Sequence, residues 1–370
     1  MMAGTGVRMQ LLMGPTVVLP APYEVVDALI GVQVWSSGRQ QDAFRLTFAL
    51  GKDSAVDYGL LRGGYFDPPA RVSVAVAMGA TFDVLINGIV TDHQVVPSDR
   101  PGASRLVVTG DDLSFELALE ERSASYPGQS DAEIVEKIVT GYGLRPEVTA
   151  TDDRPTESMR IPNQQGTDLD YVRRLARRNG FVFFLEPTRL PGVSTAYWGP
   201  EPRGPGGQPP LSVGMGPDAN VEGPITFGFD AAGPATPQVT ILEPRTGLSI
   251  TIPLPASPLA ALSGRPTAAL RKVTARDAAH LDPVQAVMRA MAMSSDAADA
   301  VTGRGELDAV RYGRVLRPRR SVEVRGAGQS HDGGYYVQEV SHLIERGSYR
   351  QSFVLTREGL GALSTRVGLS

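Results

Sequence analysis

Cysteine is absent from the 370 residues, and histidine and tryptophan are scarce, with four and two copies. Without thiols the chain has no disulfide framework, no cysteine nucleophile and no cysteine-ligated zinc or iron–sulfur centre. Four histidines also leave little for metal binding, so we predict neither a metal site nor a cofactor.

Long apolar runs are missing as well. None approaches the ~20 residues that a membrane-spanning helix needs. The start of the chain is broken by Gly14, Pro15 and Pro20 and has no clean apolar core. This pattern favours a strand over a signal peptide. We therefore predict a chain that has no membrane span and stays in the cytoplasm after synthesis unless an assembly carries it out.

The overall composition is that of an ordinary soluble protein, with 42% hydrophobic and 21% charged residues. A net charge of −4 provides no basic surface for nucleic acid or anionic lipid. The length predicts two or three domains. Glycine and proline are abundant, with 41 and 29 copies, which predicts many turns between short strands.

Alternating hydrophobicity dominates both ends of the chain. Phe44, Leu46 and Phe48 alternate with Arg45 and Thr47, as expected for a half-buried strand. The stretch 321–360 has the same period over three strands bounded by glycines. The sequence therefore predicts a mainly β (α+β) fold with two tube-like antiparallel β-barrel domains. We place them at 1–120 and 225–370, the second with a helical insertion at about 282–295.

A small α/β insert is predicted between them, at 121–190, followed by a Pro/Gly-rich loop or linker at 191–224. Ser130 and Glu133 form a capping box that begins one helix, and Thr167 begins another that Gly180 ends. One face of the second helix presents four arginines: Arg173, Arg174, Arg177 and Arg178. They form either a solvated helix face or a contact for an acidic partner or nucleic acid.

Two stretches of the β regions resemble each other. Residues 89–113 align with 339–360 when His93 is matched with His342 and Thr109 with Thr356. These four residues are candidate markers of an internal repeat, although such short patterns are common in strands and chance is the alternative. If the repeat is real, the chain contains two similar β domains, as a pseudo-symmetric ring requires.

Candidate chemistry is sparse. His93 and His342 each have a polar neighbour that suggests a fragment of a Ser–His–Asp site, but no nucleophile elbow accompanies them, so we predict no enzyme and no catalytic residue. Asp111 and Asp112 are candidates for lining a channel, where negative charge would reduce sticking of DNA or acidic cargo.

Three segments of the sequence carry a family resemblance. Residues 161–180 contain the pattern Q–x–x–T–D at the start of a predicted helix, residues 316–326 read L–x–P–R–x–x–V–x–V–x–G, and residues 334–360 form a predicted closing hairpin. These segments resemble the baseplate-hub family of contractile tails, which includes phage late-control D proteins and the hub portion of VgrG. Arg319 stands where that family usually has glycine.

The resemblance implies a homotrimer in which the paired barrels form a pseudo-sixfold ring. That ring would adapt a sixfold inner tube above to a threefold spike below, and the spike would be a separate chain. Baseplate wedge or sheath-adaptor proteins and effector cargo are further implied partners, within a virion, bacteriocin or injection system. The alternative from another class is a β-rich carbohydrate-binding or carbohydrate-active protein, which would require paired carboxylates and exposed aromatics.

Overall fold

A computed structural model describes most of the chain. The described residues are 2–4, 6–51, 58–100, 102–151, 154–155, 161–204, 207–242, 249–252, 261–274, 286–287, 290–291, 293–294 and 298–363. The helix expected at about 282–295 lies largely outside them. Among the described residues, no helix is both long and apolar enough to cross a membrane.

The mainly β fold is confirmed. The strands are β1 Met2–Gly4, β2 Val7–Gly14, β3 Leu19–Pro20, β4 Leu29–Ser37, β5 Ala43–Ala49, β6 Arg71–Met78, β7 Thr81–Val96, β8 Arg105–Asp112, β9 Glu121–Ser125, β10 Arg145–Val148, β11 Asn163–Thr167, β12 Val182–Pro187, β13 Ser194–Gly199, β14 Leu211–Ser212, β15 Val221–Phe229, β16 Ala235–Leu242, β17 Ser249–Ile252, β18 Arg265–Pro266, β19 Arg271–Thr274, β20 Val301–Asp308, β21 Ser321–Arg325, β22 Gly333–Glu345, β23 Ser348–Arg357 and β24 Gly359–Leu360. The helices are α1 Tyr23–Ala28, α2 Gly59–Arg62, α3 Asp131–Gly141, α4 Asp168–Asn179 and α5 Ala309–Tyr312.

One 14-stranded sheet dominates the structure, with the path β1-β2-β6-β7-β8-β5-β4-β22-β23-β20-β15. Strand β3 pairs with β2, and β21 pairs with β14 and β22. Every pairing along the path is antiparallel. The two predicted β regions are therefore joined in one sheet, and no pairing among the described strands closes it into a barrel.

The joint between the two regions is a regular ladder. Strand β4 pairs with the second half of β22, from Ser37 opposite Glu339 to Gly31 opposite Glu345. The first half of β22 pairs with β21 along the same edge. A single apolar core lies beneath both regions and includes Val34 and Phe44 from the first and Tyr335 and Leu355 from the second.

The two regions repeat one topology. Strands β4, β5, β6, β7 and β8 have the spatial order β6-β7-β8-β5-β4, and strands β15, β20, β21, β22 and β23 have the order β21-β22-β23-β20-β15. The details also correspond, since the strand β7 has a bulge between Val90 and Asp92 and β22 has one between Val337 and Glu339. We call β4–β8 the first copy and β15 with β20–β23 the second copy.

The insert between the copies has its own core. Helices α3 and α4 pack with the sheet β10-β13-β12 around Val135, Val172 and Trp198. Both predicted helix starts are confirmed, because the Ser130–Glu133 capping box is formed and Thr167 accepts a hydrogen bond from the Asp170 amide. Gly180 ends α4 with φ 73°, a left-handed conformation that favours glycine.

Candidate functional surface

The solvent side of the joined sheet is a continuous surface that both copies build together. We call it the polar face. Its members are wholly or partly exposed and alternate with buried residues along each strand: Asp92, Gln94 and Val96; Arg105, Val107, Thr109 and Asp111; Arg45 and Thr47; Gln33 and Trp35; Glu339, Ser341, Leu343 and Glu345; Arg350, Ser352, Val354 and Thr356; Thr302, Arg304, Glu306 and Asp308; Glu222 and Thr226. The period of two places core residues and surface residues on opposite sides.

Acidic side chains outnumber arginines on the polar face. The acids are Asp92, Asp111, Glu222, Glu306, Asp308, Glu339 and Glu345, and the bases are Arg45, Arg105, Arg304 and Arg350. One exposed pair, Arg350 with Glu306, is 3.4 Å apart. The face therefore has a negative excess, which repels anionic polymers.

The two aspartates predicted to line a channel lie on opposite sides of the sheet. Asp111 is partly exposed on the polar face, and burial together with the neighbouring Asp112 raises its pKa. Asp112 is buried, accepts a hydrogen bond from the Ser114 amide at 2.8 Å and accepts another from the Asp42 amide at 3.1 Å. Its carboxylate therefore caps a short helical turn inside the molecule instead of facing solvent, which corrects the pairing of the two as surface groups.

A shallow depression of about 460 Å³ lies on the polar face where the copies meet. Its walls include Trp35, Arg304, Glu339 and Ser352. Glu339 is the one carboxylate among these wall residues, whereas glycoside hydrolysis uses two. The depression therefore lacks the paired acids that the carbohydrate-active alternative requires.

The exposed aromatic side chains of the sheet do not form a sugar-stacking cleft either. Trp35 lies on the polar face with the Arg45 guanidinium 5.5 Å from its ring centroid. Phe229 is at the end of β15, on the opposite side of the sheet and with β22, β23 and β20 between. These two rings cannot contact one sugar.

His342 is a core residue. It is 2% exposed, its Nδ1 lies 2.8 Å from the Tyr349 hydroxyl, and the Gln351 amide nitrogen is 3.3 Å away. Burial, assisted by the positive charge of Arg317, lowers its pKa to about 3. A neutral, enclosed imidazole of this kind fixes the packing of neighbouring strands.

His93 occupies a more open position. Its Nδ1 lies 3.4 Å from the Phe66 carbonyl oxygen, and its backbone pairs with Val108. Thr109 is on the polar face, opposite Asp92, and Thr356 is on the same face, opposite Tyr336 and Thr302. The two histidines thus point to the core side and the two threonines to the polar side.

The strand pairings give the repeat a different register from the sequence alignment. When the bulges of β7 and β22 are superposed, His93 corresponds to Val340 and Thr109 to Val354. The alignment of His93 with His342 and of Thr109 with Thr356 is therefore two residues out of register. A slip of two keeps every side chain on its own face, so the hydrophobic pattern alone does not reveal it.

The four predicted contact arginines of α4 have different environments. Arg174 and Arg177 are exposed and Arg173 is half-buried, whereas Arg178 is paired with the buried Asp131 at the start of α3. The Arg174 guanidinium lies 4.8 Å from the ring centroid of Tyr171. Arg178 therefore ties the two helices together, and any partner contact of this face would rest on the remaining arginines.

A buried ionic cluster joins the first copy, the insert and the second copy, and sequence reasoning missed it. The Arg319 guanidinium donates to the Asp42 carboxylate, to the Ser37 carbonyl at 2.7 Å and to the Leu185 carbonyl at 3.3 Å. The Cζ atom of Arg319 lies 4.3 Å from the ring centroid of Phe184. The sequence signal was the arginine at a position where the resembling family has glycine.

Arg319 retains a glycine-like backbone. Its φ is 62°, which only glycine adopts readily. Burial raises the pKa of Asp42 to about 6 against the lowering effect of Arg319, and burial also raises the pKa of Asp112. The strained arginine is thus the cation that faces two buried carboxylates. Among the described residues, no group of histidine, aspartate and glutamate side chains could hold a metal ion.

Comparison with known proteins agrees on the fold. A tail protein from Neisseria meningitidis MC58 is 15% identical, with a TM-score of 0.62, and the match covers 96% of this chain and 98% of that one. The 43 kDa tail protein of prophage MuSo2 from Shewanella oneidensis is 14% identical, with a TM-score of 0.63, and the match covers 95% and 99%.

A third structure is an Escherichia coli protein described as a component of the type VI secretion system with structural similarity to the T4 bacteriophage tail proteins gp27 and gp5. It is 13% identical, with a TM-score of 0.53, and the match covers 89% of this chain and 73% of that one. A family model described as the Alg8 N-terminal domain matches residues 23–194, less than half of the chain. No curated protein matches. The chain therefore has the fold of phage tail proteins.

Proposed function

We propose that this chain is a structural hub of the baseplate in a phage-tail-like contractile particle, a homotrimer without catalytic activity. The observation that supports this most is the end-to-end likeness to two tail proteins, which leaves almost nothing of either chain unmatched. A likeness of this extent is to the whole architecture, including both copies and the insert.

The internal duplication supports the trimer. Each chain contributes two similar β units, so three chains present six, the number that a sixfold inner tube offers to its neighbour. A threefold spike would contact the opposite end, and wedge or sheath-adaptor proteins would surround the ring. The protein would be made in the cytoplasm and then built into the particle.

The polar face would line the channel. Its negative excess would keep DNA or acidic effector cargo from adhering during passage. To test this, Asp111→Lys is compared with Glu147→Lys, which places the same charge on an exposed residue of the insert. We expect impaired cargo loading or firing for Asp111→Lys alone. Equal behaviour of the two variants would contradict the channel role of this face.

The hub itself is tested by three measurements. Light scattering of the purified protein should give the mass of three chains, and negative-stain images should show rings with a central opening. Deletion of the gene in its producing strain should abolish complete tail-like particles. A monomer that binds sugars, with particles that still assemble and fire in the deletion strain, would overturn the proposal.

A further inference from the structure

Within the two copies, two strand edges have no described strand beside them. On β7, strand β6 covers one edge only as far as Arg71 opposite Ile89, so the segment Asp92–Val96 pairs with β8 alone. The second open edge is the outer side of β15, which ends the path of the sheet. Open edges of this length are a template for pairing with another chain.

The molecule itself shows what such edges accept. The second half of β22 is the counterpart of Asp92–Val96, because both follow the equivalent bulge and both lie beyond the strand that covers the first half. Strand β4 is the counterpart of β15, since each is the outermost strand of its copy. Within the chain, β4 pairs with β22. The equivalent pairing between two chains sets β15 of one chain against β7 of the other.

We propose that β15 of one chain pairs antiparallel with His93–Val96 of a second chain, in the register of the β4–β22 joint. The joint places Trp35 opposite Ser341 and Val34 opposite His342. By equivalence, Gly228 is then opposite Gln94, and Phe227 is opposite Val95. The proposal deepens the trimer of the proposed function, on which it rests, by specifying its interface as head-to-tail, with six similar joints around a closed ring.

Side chains at the two edges fit this contact. Val96 is 45% exposed on the polar face, and Phe229 is 51% exposed on the core side, where Val221 and Ile225 of the same strand are buried. In the proposed register Phe229 lies opposite His93 on the core side, where the ring would be covered. The ladder ends there, because β15 stops at Phe229 and the next pair would set Asp92 against Asp230.

The chain has no cysteine, so a designed disulfide reports this contact directly. Gln94→Cys and Gly228→Cys are combined in one chain. An added side chain at Gly228 finds its nearest atom, the Thr302 carbonyl oxygen, at 4.0 Å, so the substitution fits. Within a chain the strands β8, β5, β4, β22, β23 and β20 separate the two positions, far beyond the ~7 Å reach of a disulfide, so any bond links two chains.

We expect the oxidised double variant to run as dimers and closed trimers on a non-reducing gel. Two kinds of control, the double variant Gln94→Cys with Glu222→Cys and each single variant, should give no cross-linked trimer. A trimer by light scattering without the cross-link would overturn this pairing and leave the proposed hub standing. An uncross-linked monomer would overturn both. Linked species larger than trimers would support the pairing and contradict the closed ring of the proposed function.

Discussion

The two copies share one strand order but fill their interiors differently. At equivalent positions the first copy has Val95 and Leu106 where the second has His342 and Gln351. The polar pair is tolerated because it is bonded: the Gln351 amide donates to the Leu316 carbonyl at 2.9 Å and accepts from the Leu316 amide at 3.0 Å. The same strand order thus forms around either an apolar or a polar pair of core residues, provided that each buried polar group has a hydrogen-bond partner.

The copies also differ at their edges. The edge of β22 is filled by β4 of the same chain, whereas the corresponding edge of β7 is open among the described residues. One duplicated fold therefore yields one internal joint and two complementary free edges. Four stability predictions, ordered from the largest expected effect to the smallest, break or sharpen this comparison.

Removal of the cation between the copies should have the largest effect. Arg319→Ala leaves Asp42 and Asp112 buried without their shared positive neighbour, so we expect the free energy of unfolding to fall by about 3–5 kcal/mol. Urea denaturation measures this. The matched control is Arg320→Ala. Arg320 forms an exposed ion pair with Glu186, and its loss should lower the free energy of unfolding by less than about 1 kcal/mol. Equal effects of the two substitutions would contradict the role of the cluster.

Acid should destabilise the second copy through His342. Its pKa is about 3 in the folded protein, against 6.5 for an unperturbed imidazole. The folded state thus keeps the imidazole neutral, and stability that is complete above pH 6.5 is lost as the pH falls toward 3. The contribution of this one group to the free energy of unfolding changes by at most about 1.4 kcal/mol per pH unit. Asp42 has a raised pKa of about 6, so its protonation stabilises the folded protein as the pH falls from 6 to 4. The contribution of His342 is therefore measured as a difference between two proteins that both contain Asp42.

The difference is taken between the wild type and His342→Gln, measured by thermal unfolding from pH 7.5 to 4.5. We expect the wild type to lose stability relative to the variant as the pH falls. Parallel curves for the two proteins would show that the imidazole titrates normally and is not enclosed.

A copy-to-copy exchange in the core should have an intermediate effect. Gln351→Leu gives the second copy the residue that the first has at Leu106, but it leaves the Leu316 amide and carbonyl without their partner. We expect a loss of about 1–3 kcal/mol in the free energy of unfolding. Gln94→Leu, at an exposed site, is the control and should change it little. An unchanged free energy of unfolding in the Gln351→Leu variant would show that the polar network does not contribute to stability.

The smallest effect is expected for an exchange on the polar face. Asp111 corresponds to Thr356 in the pairing register, and Asp111→Thr should change stability by at most about 0.5 kcal/mol. The reverse change should cost more, because the Thr356 hydroxyl is buried without a partner and a carboxylate there would be desolvated. Calorimetry of the two variants measures this asymmetry, and equal shifts would contradict the burial of the Thr356 hydroxyl.

Prediction from the sequence succeeded where local chemistry decides. Ser130 and Thr167 begin their helices because their side chains bond to amides within one turn, and the alternation around Phe44 and Phe48 marks a strand with one buried face. Prediction failed where the register of a strand, or the side of the sheet on which a residue lies, could be assigned only from the neighbouring strands. The alignment of His93 with His342 slipped by two because period-two patterns are unchanged by such a slip. Asp112 was grouped with Asp111 although alternation sends their side chains to opposite sides.

The sequence by itself determined the mainly β character of the chain, the two helix starts of the insert, the absence of thiol chemistry and the family resemblance, since each depends on residues close together in the chain. Only the tertiary structure decided that the two β regions share one sheet and that Arg319 faces Asp42 across more than two hundred residues. It also decided which edges stay open. These features arise from long-range strand pairing, whose register is set by bulges and by buried partners that no local pattern specifies.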